Sequence, residues 1–202
     1  MKTLIVKKGE ELEAARILSN RTDDDFDAVD ATVKEVIARV RAEGDDALYY
    51  YSEKFGGPGK AETGPLRVTE EELEEAYRSV EPEVTAALEL AAENIRSFHE
   101  KQLQKTWSYT KGDNIMLGQL IVPIQNVGVY VPGGTAAYPS SVLMNVIPAK
   151  IAGCPRIVMC SPAGKDGKIS KYILAAAKIT GADEIYKTGG AQGIAALAYG
   201  TE

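Results

Sequence analysis

Histidine and cysteine are almost missing from this sequence. Its 202 residues hold one histidine, His99, and two cysteines, Cys154 and Cys160. One histidine and two separated cysteines cannot make a zinc site of the usual type within this chain. Cys154 begins a turn and Cys160 ends an expected strand, so both read as core fillers rather than disulfide partners. Long apolar runs are also missing, and none approaches the roughly 20 residues that a bilayer crossing needs. Residues 1–10 have too short an apolar core for a signal peptide and soon turn acidic. The expected compartment is the cytoplasm, with no membrane partner. Basic charge is in deficit as well. A net charge of −6 argues against nucleic acid as a partner.

What is present is unevenly spread. Residues 1–110 carry 24 acids and 15 bases, whereas residues 111–202 carry 5 acids and 8 bases. Glycine shifts the same way, 6 before the break and 13 after it. The change marks a boundary near 105–115 and makes the second part the better home for an anionic ligand such as a dinucleotide. At this length the chain makes one large domain or two small ones, and either buries a core.

The first part reads as helical. A short helix is expected at 9–20. Asp23, Asp24, Asp25 and Asp27 read as a linker and helix N-terminus rather than a calcium loop, whose spacing and glycine are absent. Val29, Val33, Val36, Ile37 and Val40 form one apolar stripe of a helix at 28–43, which Gly44 ends. Asp45 or Asp46 is expected to cap the next helix, which runs to about Phe55. Its tyrosines 49–51 could stack on a base, but packing is the favoured reading. The run Gly56-Gly57-Pro58-Gly59-Lys60 lacks the Ser/Thr ending and the preceding strand of a phosphate loop, and reads as a connector. Leu66-Arg67-Val68 is a short extended piece. Thr69 and Glu72 pair as a capping box. Pro82 opens a long helix whose seam, Val84, Leu88, Ala91, Ile95 and Phe98, predicts packing on another helix or a subunit. His99 beside it has no local partner that supports catalysis.

The second part alternates strand and helix. A hairpin is expected over 106–126 around Lys111-Gly112-Asp113-Asn114. Val127-Gly128-Val129-Tyr130-Val131 reads as a buried strand, residues 132–141 as a Gly/Pro loop, and the next stretch, to Gly153, as a helix. Further strands are expected at 155–162 and 184–190, each followed by a helix. This alternation predicts parallel strands joined by crossovers, with ligands held where the strands end. The loop at 132–141 is the first place to look for a bound cofactor.

Four stretches carry a resemblance to a known family. They are Asn94-Ile95-Arg96-Ser97-Phe98-His99-Glu100-Lys101-Gln102, and residues 127–141, 148–154 and 189–202. On them the chain resembles histidinol dehydrogenase, and residues 1–93 look like that family's N-terminal part with weaker identity. The resemblance implies an α/β fold. A mainly helical region, 1–105, precedes an incomplete Rossmann-like parallel-sheet domain, 106–202, which carries part of an NAD site. It also implies a cytoplasmic homodimer interlocked by exchanged segments. The implied reaction is a zinc-requiring oxidation of L-histidinol to the aldehyde and then to L-histidine, reducing two NAD in succession.

The resemblance further implies that Tyr130 and Gln192 contact NAD. The bare residues leave alternatives open. Tyr130 ends an expected strand, where a ring can cover an adenine or simply fill core. Gln192 stands at a helix start, where backbone N–H groups favour phosphate, or it is a cap. Neither segment is a GxGxxG fingerprint. The family's chain is about twice this length. Its zinc ligands, its catalytic Glu/His pair and a third NAD-contacting residue, an asparagine, fall outside these residues. The expectation is therefore no catalytic residue and no metal ligand here, weak dinucleotide affinity and no turnover by this chain alone. Two other readings stand beside it. One is a non-catalytic dinucleotide-binding or assembly module of the same fold. The other is an aldehyde-oxidising dehydrogenase with Cys154 or Cys160 as nucleophile.

Overall fold

The computed structural model describes residues 6–19, 26–133 and 137–201. Asp23, Asp24 and Asp25 lie outside the described residues, as do Gly134, Thr135 and Ala136 of the 132–141 loop. The chain divides into two compact units, Met1–Glu35 and Val36–Glu202. The first holds α1 (Glu11–Ser19) and the start of α2 (Phe26–Glu43). The boundary expected near 105 falls inside the second unit.

The second unit is built on a parallel sheet in the order β3 (Asn126–Tyr130), β4 (Arg156–Cys160), β5 (Glu184–Tyr186). β4 is the central strand, with four of its five residues buried, and the Val-rich β3 lies at one edge of this order. Residues 66–68 extend the sheet antiparallel to β5. The Val68 amide donates to the Ile185 carbonyl at 2.9 Å and the Lys187 amide to the Leu66 carbonyl at 2.7 Å. The extended piece read from the sequence is thus an added sheet edge.

The pleat sorts side chains to two cores. Val129, Ile157, Met159 and Ile185 join α7 (Pro139–Ile151) and α8 (Lys171–Thr180) in the larger core. There Val142, Leu143, Val146, Ile147 and Ile173 are fully buried. The opposite face meets α9 (Gly190–Tyr199), where Gly128 approaches Leu197 and Cys160 approaches Gly193. Ala195 of α9 belongs to the smaller core, with Val36, Val40, Leu48, Tyr51 and Leu66. Leu48 and Tyr51 come from α3 (Asp45–Lys54), which packs on α9.

Two helices lie over α7 and α8. In α5 (Glu70–Ser79) the capping box forms as read: Glu72 N–H donates to Thr69 Oγ1 at 3.1 Å, and Thr69 N–H to Glu72 Oε2 at 2.9 Å. The seam of α6 (Pro82–Glu100) packs on helices of its own unit. Leu88 is buried and Val84, Ala91 and Ile95 are half-buried against the large core. Phe98 is the exception, at 63% exposed. Two further expectations changed or resolved. Neither Asp45 nor Asp46 caps α3. Gly44, at φ 58°, is its N-cap, and the two carboxylates favour the helix dipole from the first turn. Two of the three tyrosines pack: Tyr51 is fully buried and Tyr49 donates to the Gly64 carbonyl at 2.7 Å, whereas Tyr50 is 41% exposed.

The hairpin of β1 (Trp107–Lys111) and β2 (Ile115–Gln119) forms in the expected place, with Lys111 opposite Ile115. Every residue of both strands is exposed, so this ribbon buries no face.

Candidate functional site at the strand ends

Tyr130 is the last residue of β3, Ser161 follows β4, and Gly189 and Gly190 lead from β5 into α9. Parallel pairing brings these ends to one rim: Tyr130 stands opposite Cys160, and Cys160 opposite Tyr186. Tyr130 points to the α9 face, and its phenolic oxygen accepts from the Gly190 amide at 3.4 Å. The structure therefore brings the first turn of α9, which carries Gln192, to Tyr130.

The α9 start needs glycine for its backbone angle. Gly190 has φ 62°, a region that L side chains rarely adopt. A Cβ there would also lie 2.6 Å from Gln192 Oε1. Gln192 is 4% exposed, and its Oε1 has no hydrogen-bond partner in the protein. An amide oxygen shut from water without a partner costs about 1–3 kcal/mol. Gln192 is therefore no side-chain cap of α9, whose N-cap is Gly189. First-turn amides of any helix lack helical acceptors, so this end also presents donors to an anion.

Space is tight around Pro162. A Cβ at Gly133 would lie 2.8 Å from the Pro162 carbonyl oxygen, and one at Gly189 would lie 2.7 Å from Pro162 Cβ. Neither glycine has a positive φ, so close approach is what requires them. Beneath Gly133 sits Ser161 Oγ, fully buried and likewise without a protein partner.

A cavity of about 560 Å³ opens beside this rim on the α5 and α8 side. Gly133, Pro162, Lys168, Lys187 and Glu72 are among its lining. Tyr130 and Gln192 do not line it. Lys187 follows β5 and carries a side chain only 7% exposed, paired with Glu72 Oε1 at 2.6 Å. Burial pushes the Glu72 carboxyl up, but the Lys187 ammonium and the Thr69 amide outweigh it and hold the group below the usual carboxylate range. The pattern of the sequence did not single out Lys187 or Ser161. Their only visible signal was position, immediately after an expected strand.

The other candidates stay apart from the rim. His99 is hydrogen-bonded to Gln102 at 2.6 Å and sits edge-on to Phe98. Both cysteines are buried and free. Burial pushes the Cys160 thiol up to about 12, which opposes the thiolate a nucleophile requires. Among the described residues no group of three or more His, Cys, Asp or Glu comes together to hold a metal ion, so they do not fit a zinc site. Nor is any described helix long and apolar enough to cross a membrane.

Comparison with known proteins places this architecture. The family model for histidinol dehydrogenase matches residues 19–202. A histidinol dehydrogenase of Heliobacterium mobile is 50% identical over 189 residues, covering 94% of this chain and 44% of that protein. One from Bacillus subtilis (strain 168) is 53% identical over 171 residues, covering 85% of this chain and 39% of its own length. The crystal structure of histidinol dehydrogenase from Elizabethkingia anophelis superposes with a TM-score of 0.81 at 35% identity, over 90% of this chain and 41% of that one. The chain thus spans less than half the length of these relatives. It belongs to the histidinol dehydrogenase family.

Proposed function

We propose that these residues form the dinucleotide-holding part of a histidinol dehydrogenase, which oxidises L-histidinol through the aldehyde to L-histidine with NAD. The observation that carries this reading is the buried, unpartnered Gln192 amide oxygen beside the Tyr130–Gly190 contact at the strand ends. Open α/β sheets bind ligands there. The chemistry that NAD supplies when bound is acceptance of a hydride at each of the two oxidations. Tyr130 offers a ring face and a phenolic oxygen, Gln192 a carboxamide, and the α9 start its amides. These groups bind and orient; none is an acid–base pair. The 202 residues alone are therefore expected not to turn over histidinol. The family's zinc requirement belongs to this proposal only for a full-length family member.

Calorimetry with NAD on this chain tests the reading. Wild type binds weakly, and Tyr130→Ala or Gln192→Ala weakens it about tenfold or more. NAD affinity that both substitutions leave intact sinks the assignment. The competing view, a non-catalytic assembly module, separates from it by the same titration, since that view requires no NAD contact at Tyr130.

The homodimer and the cytoplasmic location are part of the same proposal. The β1–β2 ribbon supports the dimer. Trp107, Tyr109, Ile115 and Met116 are each more than half exposed, and a lone two-stranded ribbon is marginal in water. Light scattering on wild type and on Trp107→Ser with Met116→Ser reads the assembly. An unchanged mass for the double variant removes the ribbon from the interface.

A further inference from the structure

We propose that Ser161 is a further ligand-contacting residue of this rim, its hydroxyl hydrogen-bonding the 2′-hydroxyl of the dinucleotide's adenosine ribose. The inference rests on the NAD reading above and adds a residue to it. Three observations carry it. Ser161 Oγ is fully buried and has no protein partner. Buried polar groups are ordinarily paired, and an unpaired one calls for an explanation. The serine backbone is held firmly, its amide donating to the Tyr186 carbonyl at 3.1 Å, so the hydroxyl stands at a fixed place after β4. Finally, that place is the end of the second strand in a strand–helix–strand nucleotide unit. Units of this type carry there the side chain that reads the ribose hydroxyls, commonly a carboxylate. Here β4 ends at Cys160 and is followed by Ser161, Pro162 and Ala163, with no carboxylate. Ser161 supplies the first hydrogen-bonding side chain.

Gly133 covers the hydroxyl: a Cβ at that position would stand 3.1 Å from Ser161 Oγ. Contact with a ligand requires this backbone to move aside. The hydroxyl both donates and accepts, which suits a ribose hydroxyl, itself a donor and an acceptor.

The test joins stability and binding on the full chain. Ser161→Ala removes an atom with no protein partner, so the unliganded melting temperature stays the same or rises. NAD affinity falls about tenfold, as for one lost hydrogen bond of roughly 1.4 kcal/mol. With NAD lacking the adenosine 2′-hydroxyl, wild type and Ser161→Ala bind alike, which is the coupling expected of a direct contact. The inference is overturned if Ser161→Ala binds NAD as wild type does while Tyr130→Ala does not. That result leaves the NAD reading standing. A tenfold penalty that persists with the deoxy analogue overturns the ribose assignment. Wild type that fails to bind NAD at millimolar concentration overturns both. A lower melting temperature with unchanged affinity shows a purely structural serine held by water.

Discussion

The Gly190 amide lies 3.4 Å from the Tyr130 phenolic oxygen, a contact across sixty positions of sequence. It ties the end of the first parallel strand to the start of the last helix and sets the geometry of the rim. On the proposed reading the ring and the hydroxyl have separable roles. Tyr130→Phe keeps the ring and frees one amide for solvent or ligand, so NAD affinity changes about threefold or less. Tyr130→Ala loses the ring face, and stacking of this kind is worth about 1–3 kcal/mol per base. Its dissociation constant rises about tenfold or more. Equal losses for both variants, measured by calorimetry, contradict a stacking role.

The Lys187–Glu72 pair is unequally buried, with side chains 7% and 36% exposed. Removing either partner therefore has different costs. Glu72→Leu strands an ammonium in the interior and also loses the capping box, for a loss of about 3 kcal/mol or more. Lys187→Met leaves a carboxylate that water still reaches, for a loss of about 1 kcal/mol. Urea melts of the two variants at pH 7 test the order, and the reverse order refutes the burial argument.

The same pair sets a pH dependence. The folded Glu72 carboxyl is held below its ordinary range, so its contribution is present above the unfolded value of about 4.3 and is lost as pH falls through the folded value. Wild type loses stability below about pH 4.5 more steeply than Glu72→Gln does. Parallel curves for the two proteins count against this assignment.

Two glycines with the same backbone angle separate strain from space. Gly167 and Gly181 both have φ 74°. At Gly181 a Cβ meets only Lys150 Cε, at 3.9 Å, so alanine pays the left-handed backbone alone, about 1 kcal/mol. At Gly167 a Cβ overlaps the Glu62 carbonyl oxygen. Gly167→Ala costs about 3 kcal/mol or more, because the 164–168 loop must lift off the short helix α4 (Lys60–Thr63). Denaturant melts of the two alanine variants give the comparison.

Cys160 is fully buried and its thiol is pushed up to about 12. At pH 8 the thiolate fraction is about one in ten thousand, and native labelling by a disulfide reagent follows unfolding rather than direct attack. Mass spectrometry shows Cys160 protected in buffer and modified in urea. Rapid labelling in buffer restores the cysteine-nucleophile reading.

Much of this protein was legible in local pattern. The capping box at Thr69 and Glu72, the apolar stripe through Val36 and Val40, and the Val-rich strands each declare themselves within a few residues. Their chemistry acts over one or two turns, and that is the range a sequence shows. The packing of the α6 seam was legible only as a need for a partner. The family resemblance pointed to Tyr130 and Gln192; the phenolic oxygen of the first accepts from the amide of Gly190, two residues before the second.

The rest depended on distance in space. Ser161 and Lys187 follow strands of ordinary appearance. Nothing nearby in sequence says that one hydroxyl is buried without a partner, or that one ammonium meets a carboxylate 115 positions away. The sequence by itself determined the order of strands and helices and the family. The tertiary structure alone decided which strand ends converge, which glycines are required by close approach, and which polar groups lose water. Local preference reads bonded neighbours, whereas burial and pairing are properties of neighbours that only folding brings together.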